Sequence, residues 1–232
     1  SDIPAGVDDP EVDFKDTFLT TFRVLAWMRK NQVPRLAFAS TSAVYGVRDE
    51  PIEEDSGPML PISNYGAMKL ASEGCISAAA EAWLGRADTF RFPNVIGSRA
   101  THGAIFDFVC RLRRHPAQLD VLGDGSQQKP YLHVANLVEA MLFITDHAPG
   151  QLNYYNVGPE DDVSVRFMAE EVVAQVAPGA KIAFGSGNRG WVGDVPKFRY
   201  STAKLRALGW DAQMSSSDAV KLAVREIAAE NP

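Results

Sequence analysis

A chain of 232 residues suffices for one large domain, or for a domain with a small annex. Its 46% apolar content is that of a packed globular protein and excludes a disordered one. A net charge of −6 gives no electrostatic basis for binding nucleic acid or an anionic membrane, and no apolar run approaches the roughly 20 residues a membrane span needs.

The opening residues, SDIPAGVDDPEVD, are acidic and contain Pro and Gly, so no signal peptide is expected there. Residues 13–30, DFKDTFLTTFRVLAWMRK, place Phe14, Phe18, Phe22, Leu25 and Met28 at helical spacing, which predicts an amphipathic helix. RLAFAST (35–41) reads as a buried strand, and the stretch 47–61, broken by three prolines, as a loop. Ser63 is a candidate N-cap for a helix running to about Trp83. ADTFRFPNVIG (87–97) reads as a strand whose Pro93 ends regular pairing.

A helix is predicted over 104–114, where Arg111, Arg113 and Arg114 form a solvated basic face. A strand at LDVL and a turn at GDGS follow, then the strand YLHV, a helix from Asn136 to Asp146, and the strand NYYNVG. Ser164 caps a helix over SVRFMAEEVVAQVA, KIAFG is a weak strand, and SSSDAVKLAVREIAAE is a final helix. Cys75 and Cys110 are too few for a disulfide framework or a zinc site. They are expected as small core residues in a reducing cytoplasm, and no metal centre is expected. Strands alternating with helices predict an α/β fold: a doubly wound, mostly parallel sheet with its ligand site beyond the carboxyl ends of the strands. The candidate site then takes in Ser40–Gly46 and Pro93–Gly97.

The stretch NYGAMKLASEGC carries Tyr65 and Lys69 four residues apart, so on a helix they share a face. A phenol near pKa 10 is a poor base at neutral pH, and a neighbouring ammonium favours the phenolate. Such a pair suits proton abstraction from a sugar hydroxyl, and the small residues around it leave room for cofactor and substrate. The same spacing also occurs in many helices with no chemical role. Upstream, STSAVYG (40–46) puts a hydroxyl from Thr41 or Ser42 near the same point. Ser40, Thr41 and Ser42 are equally at home as turn residues at a strand end.

With RFPNVIG, LGDGSQQKPYLHV and GWVGDVP in that order, the chain resembles the extended short-chain dehydrogenase/reductase family over nearly its whole length. More narrowly it resembles the NAD-dependent nucleotide-sugar epimerases and dehydratases, of the UDP-glucose 4-epimerase kind. The resemblance implies a Rossmann-like domain from residues 1–97 and 131–158, and a smaller nucleotide-sugar lobe from 98–130 and 159–232. It implies Tyr65 as the acid/base, Lys69 as its partner on the nicotinamide ribose, and Thr41 as the third catalytic member, with Ser42 second. Ser40, Thr41, Tyr65, Lys69, Phe92 and Pro93 would meet NAD. Asn94, Val121, Gln127, Lys129, Arg189 and Trp191 would meet the nucleotide sugar. Lys129 stands where many relatives have Arg, a point charge in place of a bidentate fork. Trp191 stands near where many have Arg, with Arg189 and Lys197 close by. Tyr45 is expected to be structural, as is His133, and Asp124 and Asp194 to shape turns.

Related dehydratases carry Asp-Glu directly after the catalytic Thr. Here Ser42 and Ala43 occupy those positions, and neither can do carboxylate chemistry. The resemblance therefore implies a 4-epimerase working through a 4-keto sugar on a UDP-linked substrate. Dehydratase or reductase chemistry, or a binding module without activity, are the alternatives. The resemblance also implies a homodimer through helices 13–30 and 63–83. No glycine-rich dinucleotide turn occurs, and SDIPAGVDDPEVDF matches the stretch that follows the third strand in relatives. The first three strands are thus expected to be missing, leaving RLAFAST as an open apolar edge. These residues alone are expected to bind nicotinamide poorly and to be inactive.

Overall fold

The computed structural model describes residues 3–48, 51–188, 195 and 197–230. Short helices α1 (Ile3–Asp8) and α2 (Pro10–Asp13) come first. Pro10 sits in the first turn of α2, where a missing N–H costs nothing, and Asp9 Oδ1 accepts from Glu11 N at 3.0 Å. α2 runs directly into a π-helical turn over Phe14–Leu19 and then α3 (Thr20–Lys30), so the helix expected from residue 13 begins at Pro10. Its apolar stripe divides. Leu25 and Met28 are buried, while Phe14 and Phe22 are 42% and 53% exposed.

Strand β1 (Arg35–Thr41), α4 (Asn64–Ala82) and β2 (Arg86–Phe92) follow. Ser63 caps α4, its Oγ accepting from Gly66 N at 3.1 Å. The strand expected over 87–97 is in fact two. Pro93 offers no N–H to a ladder, so β2 stops at Phe92 and β3 (Asn94–Ile96) leaves for a different sheet. Next come α5 (Ala104–Arg114), β4 (Gln118–Val121), β5 (Gln128–Lys129), β6 (Tyr131–His133), α6 (Val134–His147) and β7 (Leu152–Asn156). The chain continues through β8 (Val163–Ser164), α7 (Val165–Val176), β9 (Lys181–Phe184), α8 (Ala203–Leu208) and α9 (Ser216–Ala229). Ser164 Oγ caps α7 by accepting from Phe167 N. The sequence reading did not anticipate α1, β5, β8 or α8.

The main sheet is parallel, in the order β1-β2-β7. β2 is central and buried along its length except at its ends. On one face Phe38 and Ala87 pack with Ile76, Ala79, Leu25 and Met28 of α4 and α3. On the other Phe90 and Tyr155 pack with Leu137, Ala140 and Ile144 of α6 and with Leu205 of α8. Each fully buried Ile or Leu contributes about 1.5–3 kcal/mol. Helices thus cover both faces, as a Rossmann-like fold requires, and β1 is an edge strand. Two-stranded parallel sheets β3-β6 and β4-β9 and an antiparallel pair β5-β8 complete the strands among the described residues. A further core gathers α5, α7 and α9 around Leu119 and Val121.

Cys75 and Cys110 are free and half-buried, short of full core burial. Arg111, Arg113 and Arg114 are exposed, as expected of a solvated face. Two of them nevertheless bind main chain: Arg111 donates to Asp120 O, and Arg113 to Ala228 O and Glu230 O.

Candidate active site

The carboxyl end of β1 runs through Ser40 and Thr41 into a single 3-10 turn over Ser42–Tyr45. Thr41 Oγ1 starts that turn by accepting from Ala43 N at 3.2 Å. Gly46 ends it with φ +72, and a β-carbon there would lie 2.0 Å from Leu60 O, so only glycine fits. Helix α4 is pressed against the turn. A β-carbon on Gly66 would come within 2.6 Å of Ala43 O. The small residue beside Tyr65 therefore sets how closely α4 approaches the end of β1.

That approach brings the expected proton-handling groups together. Lys69 Nζ lies 5.8 Å from the Tyr65 ring centre and 4.8 Å from that of Phe38. It donates to Ala39 O at 2.7 Å. Burial lowers the Lys69 pKa, and Glu73 opposes the shift. Tyr65 and Lys69 are both partly exposed, open to a ligand from outside. Thr41 pairs with Phe92 at the ends of β1 and β2, and Pro93 and Asn94 follow where the chain leaves the sheet.

Beneath this lies a polar network that the sequence reading missed. Ser40, Arg91 and Asn156 are neighbours in register across β1, β2 and β7. Glu73, 3% exposed and one turn beyond Lys69, accepts from Arg91 through both oxygens, at 3.0 Å from Nε and 2.6 Å from Nη2. Ser40 Oγ donates to Glu73 Oε1 at 2.5 Å. Arg91 also donates to Tyr45 Oη and Glu54 O, both at 2.8 Å, and Tyr45 Oη donates to Asn156 Oδ1 at 2.7 Å. Glu54 Oε1 accepts from Asn156 N. Burial pushes the Tyr45 phenol up to about 12, against the pull of the Arg91 charge. Removing one partner from a buried pair such as Arg91–Glu73 costs about 3–5 kcal/mol. The one sequence signal for this network was the spacing of Glu73, one turn past Lys69 on the same face of the helix.

The remaining expected residues are dispersed. Ser40 is wholly buried and turned to Glu73. Asn94 is exposed and pairs with Tyr131. Lys129, two residues before Tyr131, is buried beside Val163. Val121 packs into the core of α5, α7 and α9. Gln127 is 3% exposed, and its Oε1 meets no donor among the described residues. Lys197 bridges to Gln128. Arg189, Trp191 and Asp194 lie outside the described residues. Tyr45 and His133 are held structurally, with His133 Nε2 3.0 Å from Glu226 Oε2 and its Nδ1 accepting from Ala135 N. Asp124 shapes its turn by accepting from Ser126 N and Oγ.

The Rossmann-like sheet thus carries Thr41 at one strand end and Tyr65 and Lys69 on the helix that follows. The family profile described as the NAD dependent epimerase/dehydratase family matches residues 1–158, and the chain belongs to that family. A crystal structure of a UDP-galactose 4-epimerase is 35% identical, with a TM-score of 0.85 over 95% of this chain and 72% of that one. UDP-glucose 4-epimerase of Corynebacterium glutamicum is 29% identical over 75% of this chain. Mouse dTDP-D-glucose 4,6-dehydratase is 24% identical over 83% of it. The chain spans 60% of the length of the bacterial enzyme and 55% of that of the mouse enzyme.

Proposed function

We propose that this chain is the catalytic part of an NAD-dependent nucleotide-sugar 4-epimerase acting on a UDP-linked sugar. Tyr65 accepts the proton of the sugar's C4 hydroxyl and later returns it. Lys69 stabilises the phenolate, and the Thr41 hydroxyl bonds the same sugar oxygen. The donor chemistry suits the nicotinamide ribose: one N–H of the Lys69 ammonium is used by Ala39 O, which leaves two for ribose hydroxyls. NAD, when bound, takes up and returns the hydrogen of carbon 4 as hydride. Phe92 and Pro93 flank the ring that does so. Asn94 and Lys129 meet the diphosphate, and the free acceptor of Gln127 takes an N–H of the base, with Val121 behind it. Residues 98–130 and 159–232 form the sugar-nucleotide lobe, a division supported by the separate core around α5, α7 and α9.

The observation that carries the choice of reaction is the pair following Thr41. Ser42 and Ala43 head the 3-10 turn where a dehydratase needs carboxylates to remove water. The test is incubation of the full-length protein with UDP-glucose or UDP-galactose and NAD. Interconversion that is lost in Tyr65→Phe supports the reading. Accumulation of a dehydrated 4-keto sugar overturns it.

The protein works as a homodimer, the exposed apolar face of α3 and the adjacent α4 pairing across a two-fold axis. Free Cys75 and Cys110 suit a reducing compartment, and the cytoplasm is the proposed one. No helix among the described residues is long and apolar enough to cross a membrane.

A further inference from the structure

We propose that Glu73 is a positioning residue for Tyr65 and Lys69: through Ser40 and Arg91 it locks α4 to the ends of β1 and β2 in the one register that presents the pair to a substrate. Tyr65, Lys69 and Glu73 follow at successive turns of α4, so rotation or sliding of the helix moves all three together. Two bonds pin the helix to consecutive residues of β1, Lys69 to Ala39 O at 2.7 Å and Glu73 to Ser40 Oγ at 2.5 Å. A third contact, the two-pronged Arg91–Glu73 pair, fixes the helix to β2 at the register partner of Ser40. The next residues along those strands are Thr41 and Phe92. Glu73 thus joins three elements one residue below the site, and its carboxylate is buried and accepts three hydrogen bonds from protein donors, so it touches no substrate.

The carboxylate also acts on Lys69 directly, opposing the effect of burial. The surroundings of Lys69 leave few other sources for that influence. On its own helix are Tyr65 and Glu73. β1 offers the Phe38 ring and the Ala39 carbonyl, and Arg91 of β2 stands behind Glu73. Loss of the Glu73 charge therefore shifts the titration of Lys69 to lower pH, which loss of packing alone does not do.

This inference rests on the proposed role of Tyr65 and Lys69, and its test separates the two. Full-length wild type, Glu73→Gln, Ser40→Ala and Asp88→Asn are compared. Asp88 is a control of similar burial in an ion pair with Arg86, near the far end of β2. The first readout is Lys69 titration, followed by carbon NMR after reductive methylation of the lysines. The second is turnover. Glu73→Gln is expected to lower the Lys69 midpoint and to cut kcat roughly ten- to a hundred-fold, as a small misplacement of catalytic groups does, with KM changed less than about two-fold. Ser40→Ala, which keeps the Glu73 charge and removes one of the bonds that pin α4 to β1, is expected to lower kcat by less and to leave the Lys69 midpoint in place; it carries the kinetic test if Glu73→Gln does not fold. Asp88→Asn moves neither. Equal effects of Glu73→Gln and Asp88→Asn, an unmoved Lys69 midpoint in Glu73→Gln, or an unchanged kcat in Ser40→Ala overturn the proposal. A shifted midpoint in a protein that epimerises no sugar leaves the positioning role standing and removes the proposed reaction.

Discussion

Gly66 lies so close to Ala43 that a β-carbon on it would stand 2.6 Å from the Ala43 carbonyl oxygen and 3.0 Å from Pro61 Cβ. Gly74, two turns further along the same helix, has nothing within 4 Å. The two glycines should answer oppositely to alanine. Gly74→Ala gains helix propensity and stabilises by roughly 0.5–1 kcal/mol. Gly66→Ala must push α4 off the 3-10 turn, costing roughly 1–3 kcal/mol and carrying Tyr65 away from Thr41. Denaturant midpoints of the two variants check the signs, and Gly66→Ala should also lose activity.

The Thr41 hydroxyl starts the 3-10 turn, and under the proposed function it also meets the sugar oxygen. Thr41→Val removes both, and the loss of a hydrogen bond to a charged oxygen, about 1.5–3 kcal/mol, should lower kcat roughly ten- to a hundred-fold. Thr41→Ser keeps the oxygen and should keep most of the rate. Steady-state kinetics of the pair decide it. Equal rates for Thr41→Val and wild type would remove Thr41 from the chemistry.

Alkaline stability should fall steeply. Tyr45 has its pKa raised by burial from 10.0 to about 12, and burial also raises Tyr154, Tyr155 and Tyr200. Above pH 10 the unfolded chain gives up phenol protons that the folded chain keeps. The folded state then binds more protons, so its stability drops as pH rises from 10 towards about 12. Tyr45→Phe should be less stable at neutral pH, because Arg91 and Asn156 lose a partner, yet should lose less on going to high pH. Urea titrations on both sides of the ordinary tyrosine range measure the two effects separately.

The outer face of α3 tests the assembly. Phe22 is 53% and Trp27 59% exposed, and Phe14, Phe18 and Phe22 stack in a ladder with ring centres 5.9 and 6.3 Å apart. Trp27→Glu puts a charge in the middle of the proposed interface. The full-length variant should sediment as a monomer while its circular dichroism stays unchanged. A wild-type protein that sediments as a monomer at micromolar concentration contradicts the dimer.

Much of this was legible in the sequence because the signals are local. Ser63 announced α4, and Ser164 announced α7, since a cap needs only a hydroxyl three residues from the N–H it serves. The Tyr65–Lys69 pairing follows from helical periodicity alone. Pro93 was read as an end to regular pairing, but not as a switch of sheets, because the partner that draws β3 away is Tyr131–His133, far along the chain. The short helix Ala203–Leu208 carries too few turns to show a period. The Arg91–Glu73 pair stayed hidden for another reason: each residue alone looks like an ordinary surface charge, and only the crossing of α4 over β1 and β2 buries them together.

The loop that follows β3 is fastened by Glu226 of α9 and by Glu230 at the end of that helix. Ser98 N donates to Glu226 Oε2 at 2.9 Å, and Arg99 N donates to both oxygens of Glu230, at 2.8 and 3.0 Å. Those carboxylates belong to residues more than a hundred positions later in the chain. As a nascent chain emerges, β1, β2 and the Tyr65 helix are all available well before α9. The wall behind Asn94 is therefore among the last parts to set. A ribosome-bound chain stopped short of Glu226 should hold Thr41, Tyr65 and Lys69 in place while the loop beside them is still untethered.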